Sequence, residues 1–503
     1  MELVFQQNQI RYLREVGCEA FSREETMDTI VPDSLPDIGR IVDSFGNILV
    51  QTKECRGGTL CVTGGVQAGV LYVPEEGDGV CEIPMYIPFT VKKELAADCD
   101  EGQFLCSITL GGLDARMLNP RKVLVRANLI CRFRLLTPGE MTVHTLKEQP
   151  ECLQMRTRTL PFLLPVDVAE KSFPINEEME LNSTQEAVDR ILSLRAWPEI
   201  AERKLIGSKA VFKGRLCVHA VYLSIEGRLS PTELQIPFSQ YVEMNQELED
   251  FELQIIPMLS GLEVEPDGQM ECRRLLLSAN LLVQCVAYGR QELTLVDDAY
   301  STKGAFQPEW EKCELTGRLD SQSLQETAQL HEHAEAKSVL DCWIAPELPT
   351  MSRNGDALTL RLPLSGNAMY YDSEGALQGK PIRSVWECEL QLHPDAAARV
   401  HEVALRDFSA SAGTDGIALR CTVTQEVETQ AVHELRQLCG GAIEEETDAG
   451  ERRPSVILRR GMPDESLWSV AKACRTTVDA ICAANHLEAE DGIQGRLLLI
   501  PMA

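Results

Sequence analysis

Three stretches of this chain recur at one spacing, and that recurrence limits its possible folds more than any other feature. Ile41-Val42, Ile191-Leu192 and Val339-Leu340 are each followed, 31 residues after the first of the pair, by a tyrosine: Tyr72, Tyr222 and Tyr370. These tyrosines close the apolar runs Val70-Leu71, Ala220-Val221 and Ala368-Met369 and stand 150 and 148 residues apart. Ungapped spacing across three copies argues for one domain used three times. Ile87-Pro88-Phe89 returns as Ile236-Pro237-Phe238, and Ala127-Asn128-Leu129 as Ala279-Asn280-Leu281. The third copy keeps only Val385-Trp386-Glu387 and Ile417-Ala418-Leu419 at those places, so it has diverged most.

Within each copy, short apolar alternations such as Leu216-Cys217-Val218-His219-Ala220-Val221-Tyr222 end in turn-like clusters, for example Gly77-Asp78-Gly79 and Asp372-Ser373-Glu374-Gly375. That pattern predicts strands joined by tight turns. The expected fold is mainly β: three tandem β-sandwich or barrel-like domains at 1–140, 150–290 and 325–436. Residues 8–19 and 184–194 carry apolar positions at helical spacing and read as helices. Residues 291–334 have a weak apolar pattern and read as a connector. Residues 437–454, with Glu444-Glu445-Glu446, read as a flexible acidic linker to a last domain at 455–503.

The formal net charge is -29, from 77 acidic and 48 basic residues. Such a balance excludes sequence-independent nucleic-acid binding, which needs a dense basic surface. Residues 1–16 mix charges with apolar residues and hold no continuous apolar core, so no signal peptide is expected. No run approaches the length of uncharged apolar residues that a transmembrane helix needs. The 18 cysteines are scattered through apolar runs without a Cys-x-x-Cys pair, and read as reduced, buried small hydrophobes; cross-linking in a mature assembly stays open.

The last 49 residues carry a strand–helix–helix–strand pattern. Val456-Ile457-Leu458 and Leu497-Leu498-Leu499-Ile500 read as strands, the second stopped by Pro501. Asp464 is a candidate cap for a helix with Leu467, Trp468, Val470 and Ala471 on its apolar face, and Thr476 for a second helix with Val478 and Ile481. Ser466-Leu467-Trp468-Ser469-Val470-Ala471, Thr476-Thr477-Val478, Ala483-Ala484-Asn485 and Leu498-Leu499-Ile500-Pro501 resemble, in order, the motifs of the LysM family. That resemblance implies a βααβ fold and a groove for N-acetylglucosamine polymers, here at Gly461, Met462, Pro463, Asp464, Glu465, Ser466, His486 and Leu487. The loop is longer than the family's compact Gly-Asp-Thr-Leu turn, which makes a protein as good an occupant as a glycan. Trp468 reads as core rather than as a sugar-stacking platform.

Ile30-Val31-Pro32-Asp33-Ser34-Leu35-Pro36-Asp37-Ile38 and Met117-Leu118-Asn119-Pro120-Arg121-Lys122-Val123 resemble two signatures of the SPOCS domain of Firmicute spore-coat proteins. Pro32, Asp33, Pro36 and Asp37 read as a rigid proline loop, and Asn119, Pro120 and Arg121 as structural, with Arg121 in a salt bridge inside the domain. Repeated SPOCS domains before a C-terminal LysM resemble clostridial coat morphogenetic proteins that bind stage IV sporulation protein A. The resemblance implies a non-enzymatic scaffold in the mother-cell cytoplasm, at the forespore surface, coupling other coat proteins to a basement layer built by that coat ATPase. The alternative is a peptidoglycan- or cortex-binding protein.

A LysM-targeted wall hydrolase is the third reading, and it fits least. Gly-x-Ser-x-Gly, P-loop and His-Glu-x-x-His motifs are absent, and three diverging copies of one β unit are a poor frame for a single active site. No cofactor is expected. His331 and His333 read as solvated rather than as metal ligands, because no cysteine or acid completes a site at motif spacing.

Overall fold

The computed structural model describes residues 1–77, 79–95, 102–245, 251–268, 273–391, 397–413, 415–444, 454–463, 465–488 and 492–502, with backbone alone at 313, 319–321 and 431–434. The protein is mainly β. A first unit contains β1 (Phe5–Ile30), β2 (Ile38–Arg56), β3 (Thr59–Pro74), β4 (Cys81–Glu94), β5 (Gln103–Asn119) and β6 (Lys122–Leu146). A second repeats that order as β7 (Leu153–Glu180), β8 (Val188–Ile206), β9 (Lys209–Ser224), β10 (Leu229–Glu243), β11 (Phe251–Pro266) and β12 (Arg274–Ser301). The third is β13 (Ala305–Glu332), β14 (Ala336–Pro346), β15 (Thr350–Asn354), β16 (Ala357–Asp372), β17 (Leu377–Gln391), β18 (Ala397–Gly413) and β19 (Gly416–Glu444). The C-terminal module holds β20 (Val456–Arg460), α1 (Leu467–Cys474), α2 (Val478–Asn485) and β21 (Leu497–Pro501).

Two readings of the sequence are corrected here. Residues 8–19 lie in β1, paired with β6, and residues 184–194 run from a turn into β8. Ladder bonds to a neighbouring strand override local helical spacing. Residues 291–334 are not a connector. They form the end of β12 and all of β13, which pair with β7 and β19.

Each unit is a sandwich of two open sheets rather than a barrel. In the first, β2-β3-β4 lies against β1-β6-β5, and one apolar core joins Val62, Val66, Val70 and Ile87 to Val125, Leu129 and Phe133. The second pairs β8-β9-β10 with β7-β12-β11 around Phe212, Leu216, Val218, Ala279 and Leu281. Strands β4, β10 and β17 close the short sheets at their outer edges, and Pro84, Pro88, Pro237 and Pro381 sit on them. Proline has no N–H to offer, so it blunts an edge against pairing with another chain.

The repeated residues have repeated jobs. Gly57, Gly207 and Gly355, again 150 and 148 residues apart, turn the same hairpin in each unit with φ of 53°, 59° and 64°, a region glycine enters freely. Tyr72 and Tyr222 are fully buried, and their hydroxyls donate to Pro36 O (2.8 Å) and Glu186 O (3.2 Å), so each anchors the loop ahead of the short sheet. Asp372 Oδ1 accepts from the backbone of Glu374 and Ala376, which fixes the turn after Tyr370; Asp78 of the corresponding first-unit turn lies outside the described residues.

The units pack on one another at repeat-equivalent positions. Val42, Leu192 and Leu340 meet Leu71, Val221 and Met369 in one apolar cluster, so the three copies meet through equivalent residues. Burying side chains of this size contributes about 1.5–3 kcal/mol each. Asn47 accepts from Ala196 N (2.8 Å) and donates to Leu194 O (2.9 Å), while Gln284 does the same for Cys106 N (3.0 Å) and O (2.7 Å). These amides satisfy backbone groups that a lone unit would leave open. The long paired strands β1 and β6, β7 and β12, and β13 and β19 extend past the sandwiches as two-stranded arms. The arms share a core of Met141, Phe162, Leu164, Leu293, Leu315 and Leu435, and β7 and β13 touch through Leu163 and Arg318 to make one six-stranded sheet.

Candidate functional site: the C-terminal module and the junction of the repeats

The C-terminal module is built on local signals. Ser466 caps α1: its hydroxyl accepts from Ser469 N (3.2 Å), and Ser469 Oγ accepts from Ser466 N (3.0 Å). The cap is therefore Ser466, while Asp464 lies outside the described residues. Thr477, not Thr476, caps α2, its Oγ1 accepting from Ala480 N (3.1 Å). Arg475 and His486 end the helices in the left-handed region. Asn485 ties α2 to β21, donating to Leu499 O and accepting from Leu499 N, both at 2.7 Å. Leu467, Val470, Ala471, Ile481, Ile493, Leu498 and Ile500 form the core.

Of the residues expected to line a groove, Gly461 is buried, and a Cβ there would sit 2.1 Å from Ile493 O. Glu465 pairs with Arg459 and accepts from Met462 N (3.1 Å), which folds the loop back on itself. Met462, Pro463, Ser466 and His486 are exposed, and Leu487 packs partly into the core. On the outer face of the two-stranded sheet, Leu458 pairs directly with Leu499 and lies beside Val456 and Leu497. Leu458 and Leu497 are 66% and 68% exposed, an apolar patch that none of the described residues covers.

The opposite face of the module is covered. Trp468 Nε1 donates to Asp298 Oδ2 (2.8 Å), Lys472 Nζ pairs with Asp298 Oδ1 (2.6 Å), and Tyr300 OH donates to Thr476 O (2.8 Å). Tyr300 stacks edge-on against Trp468 with ring centroids 4.9 Å apart, and the Arg156 guanidinium lies over the same indole. Trp468 is half-buried at this contact. A bulge between Val296 and Asp298 lets Asp297 pair with Arg156 while Asp298 turns to the module. Burial works against the Asp298 carboxylate, but Lys472 and the Trp468 indole outweigh it and hold its pKa below the usual range. Burial pushes the Tyr300 phenol up to about 12.

The two loop signatures of the first unit converge on Arg121. Its Nη1 donates to Leu35 O (2.8 Å) and Asp37 Oδ1 (3.0 Å). Its Nη2 donates to Val31 O (2.9 Å), Pro32 O (3.1 Å) and Asp33 Oδ1 (3.3 Å). Asn119 Oδ1 accepts from Arg121 N, Pro120 O accepts from Ile38 N, and Pro36 O takes the Tyr72 hydroxyl. The guanidinium thus replaces the missing partners of a proline loop that cannot pair as a strand. His333 Nδ1 lies 3.0 Å from Asp415 O, with the His331 ring beside it. Among the described residues no cluster of three or more His, Cys, Asp or Glu has metal-site geometry.

A polar network at the junction of the repeats gave no signal in the sequence reading. Arg195 of the second unit pairs with Asp43 of the first (2.7 Å) and faces Asp341 of the third (3.8 Å); Asp341 bonds His219 Nε2 (2.9 Å). Burial lifts Asp43 above the usual carboxylate range despite Arg195. Burial also pulls His219 down, but its bonds to Asp341 and Glu233 outweigh that and raise it to about 9. Beside the network is a cavity of about 300 Å³, lined among others by Arg132, Trp197, Glu199, Trp343, Glu402 and Glu426.

Comparison with known families identifies two segments of the chain. Residues 187–266 match the family model described as SipL, SPOCS domain, and residues 463–501 match the LysM domain. The chain carries a SPOCS domain and a LysM domain. No curated protein and no solved structure matches it. The SPOCS match covers the short sheet and β11 of the second unit, and the LysM match covers α1, α2 and β21. This pair matches the arrangement of a spore-coat morphogenetic protein with LysM, and fits a sporulation-related coat or cell-wall-binding protein. Both are binding domains. LysM suggests carbohydrate binding, while the SipL-type domain suggests coat-protein interaction and association with the spore coat. Among the described residues no helix is long and apolar enough to cross a membrane.

Proposed function

We propose that this protein is a non-enzymatic scaffold that links the spore coat to the forespore surface from the mother-cell side. In this reading the first and third units are SPOCS-like domains beside the matched one, and together they recruit other coat proteins. The LysM domain docks on a basement-layer coat protein of the stage IV sporulation protein A type. The observation that carries the reading is the outer sheet face of LysM, where Val456, Leu458, Leu497 and Leu499 make a contiguous exposed apolar patch. A patch of this kind is covered by a protein partner more readily than by a hydrated polysaccharide. Deleting residues 455–503 tests it: the truncated protein is expected to be diffuse in the mother cell, and normal forespore localisation would overturn the docking role.

A second reading keeps LysM as a reader of N-acetylglucosamine polymer. Met462, Pro463, Ser466 and His486 are exposed, so the loops that would form a groove are open to a ligand. Retention of the full chain on insoluble peptidoglycan, lost on altering Met462 and His486, would favour this reading over the first.

A further inference from the structure

The face of LysM that carries α1 is already occupied by this chain. Asp298 accepts from the Trp468 indole and pairs with Lys472, one helical turn further on, so one carboxylate grips two residues of a single helix face. Tyr300 reaches past them to the carbonyl of Thr476 in the turn between the helices, and is itself only 5% exposed. Tyr300 packs in the same apolar cluster as the module's own core residues Leu467, Val470 and Ile481. The second unit therefore completes the core of the module instead of merely touching it. A buried aromatic with its hydroxyl satisfied, next to a doubly bonded carboxylate, is the make-up of an interface anchor.

We infer that the α1 face of LysM is an intramolecular docking surface, and that its partner is the far end of the second unit's two-stranded arm, through Asp298, Tyr300 and Arg156. The module is clamped in one orientation, with Met462, Pro463 and His486 and the apolar sheet face turned outward for any further partner. Asp298 and Tyr300 are positioning residues for that presentation. The inference goes beyond the proposed function and holds whether the outward side reads protein or glycan.

The test uses the full chain with isotope label confined to residues 455–503, and measures how fast the amides of α1 and α2 tumble. In the wild-type protein they are expected to tumble with the whole 55.9 kDa chain. In the double variant Asp298→Ala, Tyr300→Ala they are expected to tumble several-fold faster, with the module's amide shifts otherwise retained. Fast tumbling in the wild type would overturn the clamp, and slow tumbling in the folded double variant would overturn the assignment of its residues. Should the double variant unfold the module, the single variant Tyr300→Phe decides: faster tumbling or increased hydrogen exchange across 476–481 supports the clamp, and no change in either contradicts it. No partner is present, so failure of the docking role at the forespore leaves these outcomes untouched.

Discussion

Arg195 Nη2 lies 2.7 Å from Asp43 Oδ2, and the pair joins the first unit to the second beside Asp341 of the third. Both side chains are almost fully buried. A buried pair contributes little net stability compared with apolar residues, but breaking it leaves a charge without its counterpart. Asp43→Ala is therefore expected to destabilise the protein by about 3–5 kcal/mol. Chemical denaturation checks this, and a shift within error of wild type would show that Asp341 alone suffices for Arg195.

His219 makes the same junction sensitive to pH. Its pKa is raised to about 9 in the folded protein, against an ordinary value of 6.5. A raised pKa means that the folded state holds the proton more tightly. The stabilisation is complete below about pH 6.5 and is lost as pH rises through about 9, on the order of 3 kcal/mol in all. The melting temperature should fall over that window, and His219→Gln should flatten the fall. An unchanged slope in the variant would assign it to other groups.

Arg121 holds the Val31–Asp37 loop with five hydrogen bonds from one guanidinium. Lysine has neither the fork nor the reach to replace them. Arg121→Lys is expected to cost about 2 kcal/mol and to open the loop to proteolysis. Protease resistance equal to wild type across residues 31–38 would count against this role.

Burial pushes the thiols of Cys106, Cys131 and Cys285 up to about 12. They should stay unreactive toward a thiol reagent at neutral pH until the chain unfolds. Rapid labelling of any of them in the native protein would contradict this.

Much of the architecture was legible because it is written locally. The tyrosine spacing marks residues that anchor the same loop in two of the copies, and the LysM motifs mark helices and core that lie within 49 residues of one another, though the caps are Ser466 and Thr477. Hairpin glycines at 57, 207 and 355 share the repeat spacing and were a readable signal that was missed. The arms were not legible. Residues 291–334 hold few apolar side chains, and they are strands because β7 and β19 offer them ladders. The junction charges were hidden for another reason. Arg195 shares its repeat position with Phe45 and Trp343, and His219 shares its position with Gly69 and Asn367, so the network exists only where three unlike residues meet. Likewise Asp298 and Trp468 are 170 residues apart, and no spacing rule connects them.

The central claim is that LysM docks on a coat protein through its outward side. The most direct measurement is the affinity of the full chain for the purified basement-layer coat ATPase, with and without Leu458→Asp and Leu497→Asp. Both side chains are exposed in the chain, so the substitutions leave its core intact. The account predicts a loss of about tenfold or more in affinity for the double variant. Unchanged affinity, or no binding by the wild-type chain together with groove-dependent retention on peptidoglycan, would contradict it.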